Sequence, residues 1–500
     1  MYAQGTSSME YPVKNLRLRW KKDKNFFTVK PNISPVEIIC MKADYMESSG
    51  SHNTGAANLV DDLYAGASLT TPGQRHFGPT EENPDKDRIV TCIKGHPCLI
   101  FWSPDGSKGS YQYVGKYNLN LDKATPEPFG FNHDNSDFGY LPEGEEWWEV
   151  KYADKDKKYE DPFIGQLNPT DGADYVPDQV ETLRTVAAGE KVNSIHCFEF
   201  LDNNTQVCNF LKEPKAYIED ENGKKIPDPA GGLYTYEETW YNGFEKEGKI
   251  VPGWTLGFES RYPEDRVGYH DADMLYPLAS WISELHYLKT EGSNGDGNPS
   301  QKDIDEANAR FKNEYLAYFN KDFLLFYYIV TEALLMADSR VKNMMIATWG
   351  KEDKYSYYPL TYKENTRYKY VGTVGSVDWE SGKTYYKLVD KEYVEATSTD
   401  EDSTTVYIAE LVHSWVPDTT QEKIETNFYK FYPIFYDMDT MLGLDNTGDN
   451  RFNYYDEDDD PSTYNGDEVL WNFVRDNLSL ELDNMYNQLE PAGLNIDLNE

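Results

Sequence analysis

Long hydrophobic runs, cysteine and positive charge are all scarce in this 500-residue chain, and each scarcity excludes something. No stretch approaches the roughly 18–20 consecutive apolar residues that a membrane-spanning helix needs. The most apolar stretch, FLLFYYIVTEALLMA at 323–337, contains Glu332 and reads as a buried helix. The first residues, MYAQGTSSMEYPVK, lack the basic start and apolar centre of a secretory signal, so nothing in the sequence itself directs export. Cys40, Cys92, Cys98, Cys197 and Cys208 are odd in number, with no C-x-x-C pair and no histidine at zinc-finger spacing. Mostly free, buried thiols are expected. Lys and Arg number 48 against 87 Asp and Glu, a net charge of −39 that repels phosphate backbones and anionic lipid. A direct nucleic-acid partner is therefore not expected, and most of the acidity reads as a solvated surface.

What is abundant is tyrosine, with 40 residues, and tryptophan adds 11. Tyrosine is large, rigid and amphipathic, and suits sheets and binding faces that must pack while staying wet. A chain of this length exceeds one compact core at roughly 150 residues per domain. The patterns predict an α+β chain in four parts. Residues 1–271 read as an N-terminal β-rich lobe with long surface insertions. There VKNLRLRW alternates with a period of two and puts Lys14, Leu16, Leu18 and Trp20 on one inward face. Residues 41–66 lead through a polar loop into a helix with Asn53 or Thr54 as its cap, RIVTCI and PCLIFW read as strands, and PDGSKG is hairpin chemistry. Residues 272–350 read as a helical lobe, with Ser300 as the N-cap of its second segment. Residues 351–427 are aromatic, alternating and Gly-punctuated, as expected of an inserted β-module. Residues 428–500 combine a strand, FYPIFYDMD, an acidic loop and an amphipathic helix, EVLWNFVRDNLSLELDNMYNQL.

Phosphoryl transfer needs a carboxylate near the acceptor, oxygen ligands for Mg²⁺ and a cation on the nucleotide phosphates. In DSRVKN, Asp338 stands five residues before Asn343, the spacing of the protein-kinase catalytic loop; a capped helix C-terminus is the ordinary alternative. Asp437 and Asp439 stand two apart at the end of the FYPIFYDMD strand, so both carboxylates project from one face, with Gly443 following for a turn. Such a pair suits Mg²⁺ or Ca²⁺, or is a solvated acidic turn. The acidic runs Asp445–Asn450 and Asp456–Asp460 offer Ca²⁺ ligands without full EF-hand spacing. His196, in an apolar strand, reads as a core residue rather than a base.

In this order the elements resemble the CotH-like atypical kinases. QGTSSMEYPVKNLRLRW matches that family's Gly-x-Ser-Ser turn and Pro-Lys strand through Gly5, Ser7, Ser8, Pro12 and Lys14. KADYMESSGSHNTGAANLV is a drifted counterpart of its next segment, GKYNLNLDK of its Gly-x-Tyr strand, DSRVKNMMIATW of its catalytic turn, and YDMD of its Trp-Asp-x-Asp metal motif, with Tyr436 for Trp. Leu121 and Asp122 stand where the family carries a glutamate, and the 351–427 module widens the gap between Asn343 and Asp437.

The resemblance implies a kinase-like fold with an N-terminal mixed or antiparallel sheet and a C-terminal helical lobe. It implies ATP and Mg²⁺ as cofactors, Lys14 on nucleotide phosphate, Asp338 as catalytic base, Asn343 as metal or phosphate ligand, and Asp437 with Asp439 as metal ligands. Drifted versions with inserted β-modules look similar to virion proteins of tailed bacteriophages. Two function classes follow: a structural or binding component of a virion tail or adhesion assembly, with an active Mg²⁺-dependent protein kinase acting on Ser/Thr hydroxyls as the alternative. The first implies virion or host-surface protein partners, a homo-oligomer as one possible state, and a virion or extracellular-surface location. The chain also reads as a segment of a longer protein.

Overall fold

A computed structural model of the chain describes residues 2–4, 11–20, 27–45, 50, 52–123, 125–131, 138–152, 179–200, 215–219, 221, 223–228, 230–242, 244–246, 249–251, 253–263, 270, 272–295, 297–336, 338–341, 343–352, 354–443 and 469–489. The architecture is α+β with antiparallel sheets. Two compact units divide the chain: Met1–His286, Tyr315–Tyr355 and Thr426–Glu500 form the first, and Tyr287–Glu314 with Ser356–Glu425 form the second. The helix Gln301–Glu314, which the sequence assigns to the helical lobe, thus belongs with the β-module. Among the described residues no helix is long and apolar enough to cross a membrane.

The first unit contains a five-stranded sheet in the order Tyr2–Gln4, Asn15–Arg19, Ile38–Lys42, Gln112–Leu121, Gly95–Trp102, antiparallel throughout. Its register sorts side chains by the pleat. Leu16, Met41 and Leu119 share one face, while Arg17, Cys40 and Asn120 are cross-strand neighbours on the other. The polar set on that second face is buried: Asn118, Asn120 and Asp122 expose 2% or less. A buried polar face must be internally satisfied. Arg17 meets Asp122 through two nitrogens, both at 2.8 Å, and Cys40 Sγ donates to Asp122 at 2.8 Å. Asp122 is therefore the partner of Arg17.

A second sheet runs Phe258–Tyr262, His196–Phe200, Met345–Thr348, Tyr432–Ile434, and of these strands Met345–Thr348 falls in the segment 272–350 expected to be a helical lobe. Its strands are short and fully apolar at the centre; Cys197, Phe198, Ile346 and Ala347 are buried. Around it the helix Lys321–Ala333 is buried from Phe323 through Thr331. Aromatic contacts tie it to three other elements: Tyr64 stacks on Phe326 at 4.1 Å, Tyr327 stacks on Phe435 at 4.4 Å, and Tyr327 stacks on Trp471 at 5.5 Å. Glu332, the one charge in that apolar stretch, is matched by the buried Arg340 at 2.7 Å. His196 is a buried member of this sheet.

Several sequence expectations need correction. RIVTCI forms no strand; Val90 N donates to Pro128 O and Cys92 makes one parallel bridge to Phe435, so its backbone is satisfied by loops. Asn53 and Thr54 lie inside the helix His52–Gly66 rather than at its cap, and both are buried. The second helical segment is broken between Glu314 and Lys321, where Asn320 caps the following helix by accepting from Phe323 N. The C-terminal helix is two, Val469–Asn477 and Ser479–Leu489, with the buried Leu478 between them. Ser300 does cap its helix: Asp303 N donates to Ser300 Oγ and Ser300 N donates to Asp303 Oδ2.

The second unit is built on a four-stranded antiparallel sheet, Leu360–Thr373, Thr405–Pro417, Tyr385–Val389, Glu392–Ala396. One face holds a small core of Val374, Tyr385, Ala396 and Val406. The opposite face carries tyrosines in mutual ring contact: Tyr368 with Tyr386 and Tyr393, Tyr393 with Tyr407, and Tyr407 with Tyr370.

The thiols are free, as expected: Cys40, Cys92 and Cys197 are buried and Cys98 is half-buried, while Cys208 lies outside the described residues. Burial pushes the Cys92 thiol up to about 11, and burial first, then neighbouring carboxylates, push Cys40 and Cys197 well above the ordinary thiol value. A thiol held protonated is a poor nucleophile. Iodoacetamide at pH 8 should therefore modify Cys98 before Cys40, Cys92 or Cys197 in the native protein, with all four equal in urea. Mass spectrometry of timed samples checks the order.

Candidate phosphoryl-transfer site

The strand Ile38–Lys42 is central in the five-stranded sheet, and its pleat puts Lys42 on the polar face with Cys40. There its ammonium lies 3.5 Å from Asp437 Oδ1, across 395 residues of sequence. Burial opposes the charge on Lys42, but the carboxylates of Asp437 and Asp439 outweigh it and hold the group well above the usual lysine value. The lysine stays charged.

Asn53, in the first turn of the helix His52–Gly66, closes the same cluster. Its Oδ1 accepts from Met438 N at 3.1 Å and its Nδ2 donates to Asp437 Oδ1 at 3.4 Å. His52 Nδ1 lies 3.4 Å from Asp439 O. The 437–439 segment is thus held at the N-terminal end of a helix, where the backbone dipole favours negative charge. This explains why it does not continue the strand as expected: the ladder stops at Ile434, Phe435 makes one bridge, and Met438 N is taken by Asn53. Asp437 and Asp439 therefore project from a turn.

The Asp338–Asn343 segment approaches the cluster from the other side. Asp338 begins the short helix Asp338–Val341, and Ser339 Oγ donates to Asp437 O at 3.5 Å. The short helix is anchored by Tyr327, whose hydroxyl donates to Ser339 O at 2.6 Å, and by Trp471, whose Nε1 donates to Arg340 O at 3.1 Å. Asn343 has φ 60°, a left-handed conformation that asparagine tolerates better than most residues. Its N–H donates to Phe200 O at 3.1 Å. Two residues on, Met345 pairs with Ile434, two residues before Tyr436.

Tyr436, in the position before Asp437, is buried. Burial pushes its phenol well above the usual value, against the pull of Lys42. The Lys123 ammonium sits 5.0 Å over its ring and is itself held at 2.6 Å by the buried Glu199, which Arg261 also binds. Three cations and three carboxylates are thereby interlocked around Tyr436 and Asp437.

Of the residues singled out in the sequence, Asp437, Asp439 and the Asp338–Asn343 segment are brought together. Lys14 lies half-buried just ahead of the strand Asn15–Arg19, whose Leu16 and Leu18 belong to the apolar face. The lysine that reaches Asp437 is Lys42. Neither it nor Asn53 was selected from the sequence as a site residue; the available signal was a lysine ending an apolar strand directly before the polar helix-leading segment. The acidic runs at 445–450 and 456–460 lie outside the described residues. Asn343, Asp437 and Asp439 carry oxygens of the kind that Mg²⁺ takes. Among the described residues, no group of three or more His, Cys, Asp and Glu converges to hold an ion, so a metal here would draw its remaining ligands from Asn343, phosphate and water. No protein-family model, no curated protein and no solved structure matches the chain. Function has to be read from these residues themselves.

Proposed function

We propose that the chain carries a CotH-like atypical kinase core that binds Mg²⁺–ATP and transfers phosphate to a protein hydroxyl. What supports this is one observation: Lys42, Asn53 and Asp437, from a sheet strand, a helix start and a segment nearly 400 residues away, converge beside the Asp338–Asn343 turn. Lys42 takes the place that the sequence resemblance assigns to Lys14, holding the nucleotide phosphates. Asn343, Asp437 and Asp439 would hold the metal, which would supply positive charge against the charge developing on the phosphates. Asp338 accepts the hydroxyl proton as the acceptor oxygen takes the phosphoryl group and ADP leaves. Incubation with labelled ATP, Mg²⁺ or Mn²⁺ and a mixed protein substrate tests it. Incorporation that disappears in Asp338→Ala and Asp437→Asn supports the reading; no incorporation by the parent chain rejects catalysis.

A second reading, in which the same core serves as a structural or binding component of a virion tail or adhesion assembly, is favoured by the tyrosine face of the second unit. Tyr370 and Tyr393 there expose 59% and 36% of their surface. A platform of this kind suits virion or host-surface protein partners. Immuno-electron microscopy of particles decides it, and absence of the chain from the particle would remove that role.

A further inference from the structure

Apart from the Lys42–Asp437 cluster, the first unit holds a cavity of about 490 Å³, a volume typical of small-molecule sites. Its lining includes the aromatic residues Trp148, Phe428 and Tyr429, with Glu146 on the Trp148 face of the strand Glu146–Tyr152, but none of Lys42, Asn53 or Asp437. Each ring is set by a neighbour. Trp148 lies flat on His270, with centroids 3.7 Å apart and planes within 5°. His270 is fixed in turn by Asp273, 2.9 Å from its Nδ1, and Tyr241 donates to the other oxygen of Asp273 at 2.6 Å. Phe428 stacks on Tyr318 at 5.3 Å, and the Lys351 ammonium sits 5.7 Å over Tyr429. A wall ordered before binding loses little entropy when a ligand arrives.

The charges on that wall are unequal. Glu145, Glu146 and Asp273 line the cavity against one lysine, Lys351, which lies 3.0 Å from Glu145. Counting histidine as uncharged, three carboxylates against one ammonium leave a net charge of −2 among the described lining residues. Among the described residues no cation pairs with Glu146. Anionic ligands are therefore repelled, and a wholly apolar ligand would desolvate carboxylates without replacing their water. Aromatic faces attract cations through their quadrupole, and a nearby carboxylate supplies the countercharge.

We propose that this cavity binds an ammonium group carried on an apolar body, a quaternary or alkylated amine, with the aromatic walls around the methyl groups and Glu146 as counter-ion. The assignment does not depend on the phosphoryl-transfer reading.

The test uses choline and its neutral isostere 3,3-dimethylbutan-1-ol on the full chain, followed by tryptophan fluorescence and calorimetry. Choline should bind saturably and at least about tenfold more tightly than the isostere, equivalent to about 1.4 kcal/mol. Raising NaCl from low to moderate concentration should weaken choline and leave the isostere unchanged, since exposed charges are screened. Glu146→Gln, at an exposed position where folding is undisturbed, should reduce choline affinity several-fold, and Phe428→Leu should reduce affinity for both. No saturable choline binding, equal affinity for the isostere, or choline binding unchanged by both Glu146→Gln and Phe428→Leu would each overturn the proposal. So would saturable binding of a neutral trisaccharide such as maltotriose in preference to choline, which would reassign the cavity to sugars.

Discussion

Replacing Glu199 with alanine is expected to lower the unfolding free energy of the chain by about 1.5–3 kcal/mol, because it removes the buried carboxylate that two half-buried cations share. Glu199 exposes 4% of its side chain and is bound by Lys123 at 2.6 Å and by Arg261. Arg261 keeps Glu259, but among the described residues Lys123 keeps the Tyr436 ring alone. The arginine is held above its usual value against burial chiefly by Glu199. Denaturant unfolding followed by circular dichroism checks the loss. Glu199→Gln, which keeps the shape and acceptor oxygen, should recover part of it, and a change below about 1 kcal/mol in Glu199→Ala would mean that the pair is solvated.

Lys42→Met is expected to remove Mg²⁺–ATP binding and any phosphoryl transfer, a loss of about 100-fold or more, as is usual when a preorganised charge on a reacting group is deleted. Methionine matches the length and apolar stem of lysine, so the strand Ile38–Lys42 should keep its place. Lys14→Met is the matched control: on the present assignment it retains nucleotide binding. Thermal shift with Mg²⁺–ATP, together with labelled-phosphate transfer, reads both. If Lys14→Met abolishes binding and Lys42→Met does not, the phosphate cation was correctly placed by sequence resemblance and the geometric assignment is wrong.

Local pattern made much of the fold legible. Strong alternation exposed the hairpin Gly95–Trp102 with Gln112–Leu121 and the long strands of the β-module. Three- and four-residue spacing exposed the helices Tyr276–Thr290 and Lys321–Ala333. The missed features share one cause. In RIVTCI an apolar run is extended and buried but hydrogen-bonds to loops, and no local pattern separates that from a strand. In EVLWNFVRDNLSLELDNMYNQL the helical period continues across a break at Leu478.

The site divides along the same line. Residue order and spacing singled out Asp338, Asn343, Asp437 and Asp439 as candidates, because phosphoryl transfer and hard-metal ligation favour particular residue types at short range. Lys42 and Asn53 were hidden. A lysine at the end of IICMK looks like a solvent-facing strand end until the pairing of Lys42 with Asn118 places it on a buried polar face. Asn53 looks like a helix cap until Met438 N is seen to use its side chain. By itself, then, the sequence determined the composition, the α+β character, the free thiols and the close spacing of Asp437 and Asp439, all of which depend on neighbours within a few residues. Only the tertiary structure decided which cation meets Asp437, where the strand before it ends, and that aromatic walls enclose a negatively charged cavity. Those outcomes depend on register and on contacts between residues hundreds of positions apart, which the order of residues does not display.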